Sequence, residues 1–279
     1  GHVDFTAEVE RSLRVLDGAV TVFDGKMGVE PQSSKVWLQA EKYMVPRLCF
    51  INKLDAIGAD FIKAYETIKE HLSDKATPIQ LPIGKENEFT GIVDLAAMKA
   101  YIYRDDEGKV IDEEDIPADM KDEVDEWRGK LLELVADYDD EVAMKYLEGE
   151  DITTEELERA VRAAVLDNEL FPVLAGSAFK NKGVQKLLDV VCKYLPSPVE
   201  KQSLFINHDT GEEKVLTAKV GGMNPATGEE EFRELNSDEK FSALVFKIAN
   251  DPHVGNLSFF RVYSEIGRAS CRERVCHRV

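Results

Sequence analysis

The sequence is short of cysteine, has no long apolar run and has no excess of basic residues, and each shortage removes a class of protein. Four cysteines in 279 residues, at these spacings, do not make a disulfide framework. Cys49 and Cys192 sit in apolar runs and read as buried thiols, which suits a reducing compartment. The apolar stretches are short and broken by charges, so nothing resembles a membrane span. No signal peptide is visible. Gly1-His2-Val3-Asp4-Phe5-Thr6 lacks an initiator methionine and reads as the middle of a protein, so that absence excludes little. Also missing is G-x-x-x-x-G-K-[ST], the loop whose backbone N–H groups cradle nucleotide phosphates. Gly25-Lys26 and Gly84-Lys85 do not supply it. Neither has a glycine five residues earlier, nor a Ser or Thr after the lysine.

What is present begins with apolar content of 43%, enough for a sizeable core in one or two domains. The net charge of −19 is unevenly spread. Residues 104–169 hold 25 Asp and Glu against 8 Lys and Arg, a net of −17. Such a face repels bare phosphate backbone and suits either a basic protein partner or plain solvation.

The first half alternates helical and strand-like periods. Phe5, Val9, Leu13 and Leu16 share one helical face, and the run Ala19 to Phe23 follows, reaching Asp24-Gly25. Val36, Ala40, Tyr43 and Met44 mark a second helix over 33–44, and Leu48 to Ile51 a second run that ends at Asn52. Ile62, Tyr65, Ile68 and Leu72 line a third helix. Short apolar runs between amphipathic helices indicate an α/β layout with a parallel sheet covered on both faces. The rhythm breaks at residues 77–168. Strand-like stretches there (79–83, 89–93, 100–103) lead through the turn Asp105-Asp106-Glu107-Gly108 to acidic helices at about 117–147 and 154–167. Thr153 and Glu156 form a capping box. The rhythm resumes with Phe171 to Leu174, the loop Gly176-Ser177-Ala178-Phe179 and a helix carrying Val184, Leu187, Leu188 and Val191. Residues 77–168 therefore read as an insertion. Pro196 and Pro198 end the domain as a stiff linker. Beyond it Phe241 to Ile248 and Leu257 to Tyr263 are strand-like, with loops or weak strands over 205–237.

Ligands of open parallel sheets bind beyond the carboxyl ends of the strands, and the loops 24–29, 52–55 and 176–179 all follow strands. Asn52-Lys53-Leu54-Asp55 is the sharpest signal. A guanine ring offers N1–H and a 2-amino group side by side, and a carboxylate such as Asp55 accepts both. The wrong base would leave a buried acceptor unpaired. Asn52 can meet the ring's acceptor side and brace neighbouring loops, while the Lys53 stem can lie along the base. A backbone N–H at Ser177-Ala178 can donate to guanine O6. Gly1-His2 places an imidazole where it could orient an attacking water at a terminal phosphate. The plainer alternatives are an Asp-capped strand-to-helix turn, a common Gly-Ser-Ala loop and an incidental histidine.

Taken in order, Gly-His-Val-Asp-Phe-Thr, Asp-Gly-x-x-Gly-Val-Glu-Pro-Gln-Ser (24–33), Asn-Lys-Leu-Asp and Gly-Ser-Ala-Phe-Lys-Asn-Lys-Gly-Val-Gln (176–185) closely resemble the bacterial elongation factor G family. The resemblance runs from residue 1 to about 263. It implies an incomplete P-loop-GTPase-type parallel sheet with an α+β insertion, followed by the start of a β-barrel domain. The implied divisions are a partial GTPase domain (1–76 and 169–199), an inserted acidic subdomain (77–168), the beginning of the barrel (200–264) and an unrelated tail (265–279). It further implies that Gly1 approaches the γ-phosphate, that His2 positions water, and that Asn52, Lys53, Asp55, Ser177 and Ala178 read guanine. GTP would be the nucleotide and Mg²⁺ its ion, with no Mg²⁺ ligand in this chain. The implied partner is the ribosome, through its RNA and its stalk proteins, in the cytoplasm and at no membrane.

On this reading the chain is a truncated piece, itself inactive, of a factor that hydrolyses GTP to drive translocation. The other readings are a stand-alone acidic module that binds the ribosomal stalk and a related translational GTPase of release-factor type. Residues 267–279 carry four arginines, Cys271, Cys276 and His277, and fit neither barrel nor linker. They read as out-of-frame or adapter-derived translation. A metal site there is disfavoured, because there is no second cysteine pair.

Overall fold

The computed structural model describes residues 6–105, 107–206, 213–224, 227–236, 238–253 and 255–264. In chain order, helix α1 (Thr6–Leu13) precedes strand β1 (Ala19–Asp24), helix α2 (Pro31–Lys42), strand β2 (Arg47–Asn52), helix α3 (Phe61–His71) and strand β3 (Ala76–Pro78). Four strands follow: β4 (Gln80–Ile83), β5 (Gly91–Asp94), β6 (Lys99–Tyr103) and β7 (Ile111–Glu114). Next come α4 (Lys121–Val135), α5 (Asp140–Glu148), α6 (Thr154–Leu166), β8 (Phe171–Ala175) and α7 (Val184–Tyr194). The remainder is β9 (Gln202–Ile206), β10 (Glu213–Thr217), β11 (Lys219–Met223), β12 (Glu230–Glu234), β13 (Ser242–Asp251) and β14 (Gly255–Ser264).

The chain forms two compact units. Gly18–Trp37 and Pro46–Leu195 make the first. Its centre is a parallel sheet in the order β1-β2-β8-β3. Strands β2 and β8 lie inside the sheet and are buried along almost their whole length. That is why they read as unbroken apolar runs rather than alternating ones. Pro172 is tolerated in β8 because the β2 register begins only at Cys49 and Val173, one residue later. On one side of the sheet the Arg47 guanidinium is sandwiched against Trp37 and Phe171, whose rings meet edge to face at 4.8 Å. This buried cation gives a hydrogen bond to the Trp37 carbonyl.

The antiparallel sheet β4-β5-β6-β7 stands beside the parallel one. No linker separates them: the Ile79 N–H still bonds the Val173 carbonyl of β8, while the Ile79 carbonyl accepts from Leu95 after β5. Strand β3 is short and has no apolar alternation, so its place in the parallel sheet is not legible from the sequence. The acidic stretch expected as one helix over 117–147 is two, α4 and α5. The break falls at Asp139, whose carboxylate accepts from the N–H groups of Glu141 and Val142 and so starts α5 afresh. In α7 the sequence places Leu188 on the buried face. It is exposed, and Val190 and Tyr194 are buried instead. The same helical phase turns Cys192 outward, while Cys49 is buried.

The second unit comprises the described residues of Gly1–Asp17, Leu38–Val45 and Pro196–Val279. It is β-rich, with antiparallel pairs β9–β10, β11–β12 and β13–β14. Of the loops or weak strands expected over 205–237, the strand reading holds for β10, β11 and β12, where hairpin partners supply the hydrogen bonds that weak periodicity does not reveal. Arg261 grips both carboxylate oxygens of Asp17 at 2.7 Å. The tail from residue 265 lies outside the described residues. No helix among the described residues is long and apolar enough to cross a membrane.

The Thr153–Glu156 capping box at α6 is present, with the side chains and backbone N–H groups satisfying each other in both directions. Thr153→Ala should lower unfolding stability by about 1 kcal/mol, read as a lower urea midpoint with unchanged slope.

Candidate functional site

The strands of the parallel sheet end level with one another. Asp24 is in register with Asn52, and Ile51 with Ala175, so the loops after β1, β2 and β8 share one edge. Each loop is hydrogen-bonded to the next. The Gly25 N–H donates to the Asn52 carbonyl at 2.7 Å, the Gly176 N–H to the Ile51 carbonyl at 3.0 Å, and the Leu54 N–H to the Gly176 carbonyl at 3.2 Å.

Asn52 is the junction. Its side-chain Oδ1 accepts from the Lys53 N–H at 2.8 Å and from the Ala178 N–H at 2.8 Å. The second bond joins residues 126 apart in the chain. With Oδ1 committed, the Nδ2 group is the half of the amide left to meet an acceptor. Asp55 is half-buried, and its carboxylate has no partner among the described residues. A partly desolvated acceptor at a strand-end loop is a position for a ligand with paired donors.

Lys53 adopts a left-handed φ of +63°. Its ammonium pairs with Asp24 at 2.7 Å and so spans the mouths of two loops. Asp24 also accepts from the N–H groups of Lys26 and Met27. The bond to Lys53 is the main cause holding its carboxyl below the usual range, with the turn N–H groups adding to it against partial burial. Asp24 is not among the sequence candidates, although an Asp-Gly pair directly after an apolar strand is a signal for this kind of turn.

The β8 loop holds itself in a narrow turn. Ser177 is buried, and it exchanges backbone hydrogen bonds with Lys182 at 2.8 and 3.0 Å. Neither N–H that the sequence offered to guanine O6 is therefore unengaged here: Ser177 donates to Lys182 and Ala178 to Asn52. The next residue, Phe179, is 88% exposed, and its N–H has no partner among the described residues. The structure thus brings Asn52, Lys53, Asp55, Ser177 and Ala178 to one place. Gly1 and His2 lie outside the described residues. Among the described residues no group of three or more His, Cys, Asp or Glu could hold a metal ion.

A parallel α/β sheet with polar, mutually braced loops at its carboxyl edge is the arrangement in which open α/β domains bind their ligands. Residues 1–197 match the family model of the elongation factor Tu GTP binding domain, and the chain belongs to that family. Among solved structures it is similar to a protein from Thermus thermophilus, with a TM-score of 0.71 and 27% sequence identity. The match covers 95% of this chain and 34% of that one, so the chain spans about a third of that protein's length.

The sign of the Asp24 shift sets a pH dependence. A carboxyl whose folded pKa is depressed contributes stability that is complete above its unfolded value of about 4. That contribution is lost as pH falls through the depressed value. Urea midpoints of the unaltered chain and of Asp24→Asn should differ at pH 7 and converge towards pH 2. A constant difference would mean the ion pair contributes nothing.

Proposed function

We propose that this chain carries the base-reading part of the GTP site of a translational GTPase of the elongation factor G type. The whole factor would hydrolyse GTP on the ribosome and so promote movement of tRNA and mRNA. The observation that carries the reading is the Asn52 Oδ1 bond to the Ala178 N–H, with Asp55 unpartnered beside it. Asp55 would accept guanine N1–H and the 2-amino group, and Asn52 Nδ2 would donate to the ring's acceptor side. The Lys53 stem would cover one face of the base. Guanine O6 would be met by N–H groups of the Ser177–Phe179 turn, with Ala178 shared between Asn52 and the base. Adenine would leave the carboxylate unpaired and set its amino group against those N–H donors.

Gly1 and His2 would serve at the γ-phosphate, as the resemblance implies, with Mg²⁺ neutralising phosphate charge when the nucleotide is bound. The ribosome, through its RNA and stalk proteins, would be the partner in the cytoplasm. The 279 residues hold no phosphate-cradling loop, so what is proposed for them alone is base recognition without hydrolysis. The charge segregation over 104–169 favours a second role for the same chain, as an acidic ligand of basic stalk proteins.

Competition against a fluorescent guanine nucleotide tests the base-reading role on the full chain. Asp55→Asn should move preference from guanine to xanthine nucleotides by about 100-fold or more. An unchanged guanine-to-xanthine ratio removes the role of Asp55. No preference for guanine over adenine in the unaltered chain removes the whole reading.

A further inference from the structure

The turn that carries Ser177 and Ala178 is held on its outer side by the antiparallel sheet. The Tyr103 hydroxyl, at the end of β6, is buried and accepts from the Gly183 N–H at 2.7 Å. Gly183 closes the turn at φ +84°, where a Cβ would come within 2.4 Å of the Ala175 carbonyl oxygen. Past Tyr103, the hairpin between β6 and β7 touches the turn again. Asn181 Nδ2 donates to the carbonyls of Glu107 and Gly108 at 3.1 and 3.3 Å, and Gln185 Nε2 donates to Gly108 at 2.9 Å. A Cβ on Gly108 would lie 2.4 Å from the Asn181 carbonyl oxygen, so the two backbones are in direct contact. A further strut is Lys182 Nζ, which donates to the Phe89 carbonyl at 3.1 Å.

None of these bonds is needed to close the parallel sheet. The turn has its own Ser177–Lys182 pair, and β8 is held by β2 and β3. They fasten to the outer side of the same turn whose Ala178 N–H bonds Asn52. Asp105 in turn shapes the hairpin tip by accepting from the N–H groups of Lys109 and Val110 at 2.9 Å.

We propose that Tyr103 and the β6–β7 hairpin tip are positioning elements for the base-reading turn, so that displacing the hairpin loosens Ala178 from Asn52 and weakens discrimination at O6. This rests on the base-reading proposal for its ligand, but the positioning itself does not.

The test uses two variants of the full chain and two measurements. Tyr103→Phe keeps the ring and removes the acceptor. Gly108→Ala pushes the hairpin off Asn181 and leaves Tyr103 intact. Hydrogen exchange at the Ala178 amide should quicken about 10-fold or more in both, with exchange in β1 and β2 unchanged. The ratio of guanine to adenine nucleotide affinity should fall several-fold, while Asp55-dependent discrimination against xanthine is retained. A purely structural role would quicken exchange across the whole sheet or leave the base ratio alone. Unchanged protection of Ala178 in Tyr103→Phe overturns the proposal, and so does loss of protection confined to Gly183. If protection at Ala178 falls but no variant and no unaltered chain binds guanine nucleotide, positioning stands and the base-reading function fails.

Discussion

One side-chain hydrogen bond, from the Ala178 N–H to Asn52 Oδ1, adds to the backbone bonds between the loops and fixes which way the Asn52 amide faces. It is short, and it bridges two strands that follow one another in the sheet but lie far apart in sequence. A buried or half-buried amide has two faces to satisfy, and here one face is consumed by the protein. The other is thereby fixed in direction. For the proposed base-reading role, such preorganisation would spare the entropy of assembling the loops.

The charge distribution makes a similar division of labour. Most of the acidic excess lies in residues 104–169, the segment that carries α4, α5 and α6. At the loops that follow β1 and β2, Lys53 pairs with Asp24, and the Asp55 carboxylate has no partner among the described residues. The acidic helices themselves are bound into the core by apolar faces, with Val124, Leu131, Val135, Val142, Leu157 and Val161 buried. Several of their charges are also tied in pairs, such as Arg159 with Asp139 and Glu141. Their surface is solvated without being loose.

Much of the architecture was legible because burial leaves a mark on residue type. Strands buried on both faces, such as β2 and β8, must be apolar throughout, and helices that cover them must be amphipathic. The capping box at Thr153 was equally readable, since its two partners are three residues apart. Short elements were harder. Strand β3 has three residues, and a β-pattern needs more than that to show a period. The break before α5 depends on a single Asp whose side chain takes over the N–H groups of the new helix. In α7 the buried face was misplaced at Leu188, because a strongly amphipathic sequence offers more apolar positions than the contact surface takes up.

The sequence by itself determined the order of strands, helices and loops, the families of residue at each strand end, and the segregation of charge. All of these are local properties, written in runs and spacings of a few residues. Only the tertiary structure decided which N–H the Asn52 amide takes, that Lys53 reaches Asp24, and that Tyr103 and Gly108 hold the turn from outside. Those contacts join residues between 29 and 126 positions apart. No periodicity encodes them, because a hydrogen-bond donor has no preference for its acceptor until packing has placed both within about 3 Å of each other.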